Sequence, residues 1–164
     1  MTTDVLIPEK ALAESNVVPF TALTVGLRAT LLTAADRGGA ATQQLLSEAA
    51  RLGLDMTQPL QWMYTGVNGD ETNEFDLEIA LPIGSAAPVL PNHPFQIKTF
   101  PAFHCLHYTY TGPWSEFMPV YDALFAQVEA GNYRHNQCVR EVYSVVNLEA
   151  PDQCVTDIQI GLIK

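Results

Sequence analysis

The sequence predicts an α+β fold written twice: two strand–helix–strand–strand units whose antiparallel strands share a sheet, with the helices packed on it. Three observations predict this. DLEIALP, Asp76 to Pro82, returns as DIQIGLI, Asp157 to Ile163, at an offset of 81. Ahead of each copy lies a short aromatic strand pattern, LQWMYTG from Leu60 and VREVYSV from Val139. Further upstream each half opens on an apolar stretch containing a proline, VVPFTALTVGLRATL from Val17 and TFPAFHCLHYTYTG from Thr99. Such an internal echo, if real, sets the whole topology. The residues also allow an ordinary α+β domain whose strands merely share a period of two.

Each element has its own warrant. Between opener and aromatic strand, the first half carries a helical pattern from about Ala40 to Leu52, with Leu45, Leu46, Ala49 and Leu52 as its apolar stripe. Gly53 stands where a glycine C-cap belongs. The second helix spans about Ser115 to Ala130, with Phe117, Val120, Tyr121, Leu124 and Val128 on one stripe and Gly131 closing it. Pro119 falls near its start, where a missing N–H costs least. IGSAAPVLPNHPF, with Pro88, Pro91 and Pro94, reads as a connection, and VNGDETNE as a solvated hairpin turn. The expected boundaries are a tail over 1–16, a first repeat over 17–83, a linker over 84–95 and a second repeat over 96–164.

Composition narrows the function. The chain has 164 residues, 48% of them apolar and only 16% charged, as a globular domain requires. Eight Lys and Arg against eighteen Asp and Glu give a net charge of −10, which argues against a phosphate-binding surface and direct DNA binding. Attraction of cationic small molecules is the cheaper consequence. Three cysteines, Cys105, Cys138 and Cys154, with no CxxC spacing, read as reduced thiols of a cytoplasmic protein. Neither a signal peptide nor a stretch long enough to cross a membrane is legible.

One residue breaks the pattern. In QCVREVYSVV, Val139, Glu141, Tyr143 and Val145 alternate onto one face, and Cys138, Arg140, Val142, Ser144 and Val146 onto the other. A carboxylate thus sits in an apolar, aromatic row while the nearest basic residue points away. Laying repeat on repeat puts Trp62 at the position of Glu141, with Leu60, Trp62 and Tyr64 on one face. If a pseudo-twofold brings the two aromatic strands together, one cleft receives Glu141, Trp62, Tyr64 and Tyr143. The ordinary reading of a strand glutamate is a solvated side chain or one paired with arginine, because glutamate is almost never buried alone. Its aromatic company favours the functional reading.

The second half, LHYTYTGPWSEFMPVYDALFAQVEAGN followed by REVYSVV and TDIQIGLI, resembles the GyrI-like small-molecule-binding domain, which also forms the effector-binding half of multidrug-sensing transcription activators. The matching pieces are the Gly112-Pro113-Trp114 turn into a helix, the Glu141-Val142-Tyr143 strand and the closing Thr156-Asp157-Ile158 strand. The resemblance implies a pocket between the two halves, with Glu141 at its floor meeting lipophilic cations. It extends from about Val17 to Lys164, and no basic helix-turn-helix precedes it, so a stand-alone binding module is expected.

Other candidates follow from position. Trp114, after Gly-Pro at a strand-to-helix corner, either caps the pocket or anchors the helix. Tyr108 and Tyr110 share a face with His104 and Leu106 and are counted among the ligand-binding candidates; which face of that strand lines the pocket is left open. Met118, at the helix start, is read as core in preference to adaptable pocket lining. His104 and His107 fall on opposite faces of a strand and cannot chelate one ion, so no metal is expected, and no cofactor motif appears. The resemblance also implies an enzymatic alternative, a hydrolase acting on strained, cyclopropane-containing toxins with the same glutamate. Inhibition of a protein partner ranks last.

Overall fold

The computed structural model describes residues 7–8, 10–67, 70–84 and 89–163. It contains eight strands, β1 (Ala13–Val17), β2 (Phe20–Ala29), β3 (Gln61–Thr65), β4 (Phe75–Pro82), β5 (Gln96–Phe100), β6 (Phe103–Thr111), β7 (His135–Val145) and β8 (Val155–Leu162). Two helices, α1 (Ala34–Leu52) and α2 (Phe117–Ala130), complete it. The strands form one antiparallel sheet in the order β1-β6-β8-β7-β3-β4-β2-β5. Exchanging each strand for its counterpart four places along the chain, and reading backwards, returns the same order. The duplicated α+β architecture is therefore present, and its two halves meet at the β3–β7 pair.

The prolines reshape the openers. Each was expected as one strand; each is two, broken at Pro19 and at Pro101, because proline has no N–H to donate to a ladder. The short strand before each proline pairs with the opposite half: β1 lies on β6, and β5 on β2. β1 occupies the end of the expected tail over 1–16, so the paired sheet begins before Val17. Pro88 and the turn residues 68–69 lie outside the described residues.

Both helices cover the same face of the sheet. Leu45, Ala49 and Leu52 of α1 are buried against Leu23 and Val25 of β2 and Leu77, Ile79 and Leu81 of β4. Val120, Leu124 and Val128 of α2 are buried against Leu106 of β6 and Ile158 and Ile160 of β8. Such stripes place one row of each helix on the sheet and stabilise it by about 25 cal/mol per Å² of apolar surface removed from water. The central strands β3 and β7 lie between the two helix-covered regions. Leu46, expected in the α1 stripe, is instead 41% exposed.

Helix α1 starts at Ala34, six residues before the expected Ala40, and runs through Gly38 and Gly39. Glycine disfavours helix, which hid this first turn and a half. Gly53 closes it in the left-handed conformation, φ 67°, as expected of a C-cap. Gly38 has a packing reason: a Cβ there would lie 2.5 Å from the Trp62 ring, whereas one on Gly39 meets nothing within 4 Å. Adjacent substitutions should therefore have opposite signs. Gly39→Ala should raise stability by about 0.5–1 kcal/mol through helix propensity. Gly38→Ala should lower it by about 1–2 kcal/mol, the overpacking cost exceeding that gain. Thermal or urea unfolding of the two variants checks this.

Candidate functional site

Register fixes what surrounds Glu141. In the β3–β7 pair, Trp62 stands directly opposite Glu141, and Tyr64 opposite Val139. The expected equivalence of Trp62 with Glu141 is not what the sheet shows. The offset of 81 carries Leu77 to Ile158, and their cross-strand partners are Tyr64 and Glu141. Tyr64 is thus the counterpart of Glu141, and Trp62 is its neighbour. The error is an even number of residues, so every side chain stays on its expected face.

Glu141 is 3% exposed and among the described residues makes no ion pair. Three phenols donate to it instead. Tyr64 Oη donates to Oε1 at 3.0 Å, Tyr143 Oη to Oε1 at 2.5 Å, and Tyr121 Oη to Oε2 at 2.5 Å. An ionised carboxylate has about four lone-pair sites, so one remains for a further donor. Burial pushes the Glu141 carboxyl above its ordinary range, and the three tyrosine hydrogen bonds oppose that rise without cancelling it. Burial first, then the Glu141 charge, pushes all three phenols well above their usual value, so they remain donors.

Arg140 does point the other way. Its guanidinium lies 3.8 Å from the centre of the Phe103 ring, with Phe20 and Phe100 at 5.9 and 5.7 Å, and it is 5% exposed. It offers Glu141 no counter-charge.

Above Glu141 opens a cavity of about 1270 Å³. β3 and β7 form its floor with Trp62, Tyr64, Glu141 and Tyr143; α1 and α2 supply side walls through Thr42, Leu46, Phe117 and Tyr121. The rings are mutually braced. Trp62 meets Tyr143 edge-on at 5.8 Å and Trp114 meets Tyr143 at 5.5 Å, while Trp62 Nε1 donates to Thr42 Oγ1 at 3.1 Å. Among the described residues no lysine or arginine lines the cavity; its carboxylates are Glu141 and Asp122, and His135 also lines it. No group of three or more potential metal ligands occurs among the described residues.

Of the expected site residues, Glu141, Tyr143, Trp62, Tyr64 and Trp114 come together in this cavity. Tyr108 and Tyr110 do not line it. The Leu106–Tyr110 row of β6 faces α2, so Tyr110 is 5% exposed, bonds the Pro113 carbonyl and packs edge-on against Phe117. Tyr108 packs against the same core cluster. Met118, read as core, is 55% exposed and lines the cavity. Tyr121, read as helix stripe, is the third donor to Glu141; a buried phenol needs a partner, which was the available signal. Ser144 and Val146 also line the cavity, although strict alternation assigns them to the far face. A register shift between Tyr143 and Val145 turns them inward.

No protein-family profile and no curated protein sequence matches the chain. Solved structures do. The EcmrR C-terminal domain has a TM-score of 0.76 at 17% identity, covering 93% of this chain and 97% of that one. SAV2435 bound to tetraphenylphosphonium has a TM-score of 0.65 at 9% identity, covering 93% of each chain. A hydrolase from Listeria innocua has a TM-score of 0.64 at 13% identity, covering 95% of this chain and 93% of that one. The fold is thus shared with these proteins and is consistent with the GyrI-like small-molecule-binding domains that the sequence resembles. Among the described residues no helix is long and apolar enough to cross a membrane.

Because burial raises the Glu141 carboxyl above its unfolded value, its protonated form is the one that favours folding. That contribution is complete below the unfolded pKa and is lost as pH rises through the higher folded value. Glu141→Gln mimics the neutral form at every pH. The Tm of the variant minus that of the native protein should therefore grow as pH is raised from 4 to 8, as thermal scans across that range would show.

Proposed function

We propose that the chain is a binding module for lipophilic organic cations, with Glu141 as the charge partner. The observation that carries this is a carboxylate buried at the floor of a large aromatic cavity, with no lysine or arginine lining it among the described residues. Removing an ion from water costs several kcal/mol, and a cation entering the cavity returns the missing counter-charge. The rings of Trp62, Tyr64, Tyr143 and Trp114 add about 0.5–2 kcal/mol for each cation–π contact made. Tetraphenylphosphonium in the fold relative SAV2435 is an example of the ligand class. Selectivity for shape should be low, since stacking and one charge contact demand little directional hydrogen bonding.

Tetraphenylphosphonium should quench tryptophan fluorescence and bind with a Kd that Glu141→Gln weakens by about 2 kcal/mol, roughly thirty-fold. A neutral triphenylphosphine oxide should lose far less. Equal losses for both ligands would remove the charge from the proposal. The affinity for this permanent cation should also rise with pH as Glu141 ionises, because proton and ligand compete for one carboxylate.

The phenol cluster favours a second reading, hydrolysis of a strained cyclopropane-containing toxin. Three hydroxyls converge on one carboxyl group whose affinity for a proton is raised. In that reading Glu141 takes a proton from water as its oxygen bonds to a ring carbon. The ring C–C bond breaks, its electron pair moving toward an acceptor group conjugated with the ring; a tyrosine hydroxyl protonates that acceptor and recovers its proton from Glu141 through the hydrogen bond they share. The net reaction is addition of one water. Mass spectrometry after incubation should find a hydrated product that Glu141→Gln does not form; an unchanged compound with native protein removes this reading.

A further inference from the structure

The cavity is chemically graded from floor to mouth. Around Glu141 the walls are aromatic rings; at the mouth aliphatic and thioether side chains stand among polar ones such as Gln43, Gln58 and Gln137. Leu46, Met56, Trp114, Met118, Val146 and Leu148 all line the cavity, and each is between 38% and 73% exposed. Isolated exposed apolar residues are ordinary, but several gathered on one rim mark a surface that a ligand covers. The shift in β7 after Tyr143 contributes to this rim by bringing Val146 round to the cavity side. A compact aromatic cation seated on Glu141 would leave the rim bare, and the volume of about 1270 Å³ exceeds what a drug-sized ligand needs.

We propose that this rim is a second subsite, which takes the hydrocarbon chain of a single-headed cationic amphiphile, such as a long-chain quaternary ammonium, whose head lies against Glu141. The assignment rests on the cation reading above and extends it from compact aromatic cations to detergents. Charge and apolar surface are arranged in that order: one buried carboxylate within, and outside it exposed apolar side chains, interspersed with polar ones, that a methylene chain can cover. The unbranched side chains of Met56 and Met118 adapt to chains of differing path. Asp122 also lines the cavity and is exposed, so a second cationic head is the competing use of the same mouth.

Calorimetric titration with alkyltrimethylammonium salts from butyl to dodecyl, kept below their micelle concentrations, tests this alongside tetraphenylphosphonium. Affinity should tighten about two- to four-fold per added methylene until the chain clears the rim, then level off. In a Met118→Ser, Leu148→Ser variant, whose fold is checked by its melting curve, the gain per methylene should fall by at least half. Leu46→Ser gives an independent check from the α1 side. A series that stays flat while tetraphenylphosphonium binds would overturn the subsite and leave the cation reading intact. An undiminished gain in both rim variants would overturn it too, as would tighter binding of a double-headed chain than of its single-headed equal. Absence of binding by every cation, tetraphenylphosphonium included, would overturn both.

Discussion

Residues 140 and 141 are adjacent, oppositely charged and buried to 5% and 3% exposure, and the pleat of strand β7 keeps them from neutralising each other. Successive side chains leave a strand on opposite faces, so each charge is accommodated separately. Arg140 is shielded on the far face by three phenylalanine rings. Glu141 is held on the near face by three phenols. An arginine on the near face would have closed the site with an internal ion pair. Phenols instead leave the carboxylate hydrogen-bonded, with no ion pair among the described residues, and the proposed cation binding rests on that.

The duplicated fold provides the place for that carboxylate. Each half covers its own outer strands with one helix, and the halves join edge to edge through β3 and β7. Joining two edges removes both as sites of unwanted pairing. It also leaves the two innermost strands between the helix-covered regions, and that gap is the cavity. The crossed edge strands tie the arrangement together, since β1 completes the second half and β5 the first.

The candidate site lies where the symmetry is broken. Tyr64 and Glu141 occupy equivalent positions and face each other's halves; one donates the hydrogen bond the other accepts. Tyr121 reaches the same carboxylate from α2, so floor and wall are linked by one short bond. On the other side Trp62 is fixed to α1 through Thr42, over the flat spot that Gly38 provides. Both helices are thereby coupled to the residues around Glu141.

Much of this was legible in the chain itself. Periodicity and the repeated DLEIALP and DIQIGLI segments determine two similar halves, the helix stripes apart from Leu46, and the face on which Glu141, Tyr143, Trp62 and Tyr64 lie. These are local properties: a side chain's face depends only on the spacing of its neighbours. Tertiary structure alone decided the rest. Which strands exchange edges, which row of β6 faces a helix, and where β7 shifts register depend on contacts between residues far apart in sequence. For that reason Tyr108 and Tyr110 fell away from the cavity while Tyr121, Met118 and Val146 entered it. Alternation can say that a carboxylate points into an apolar row, but only the assembled sheet and helices decide that three hydroxyls and, among the described residues, no lysine or arginine await it there.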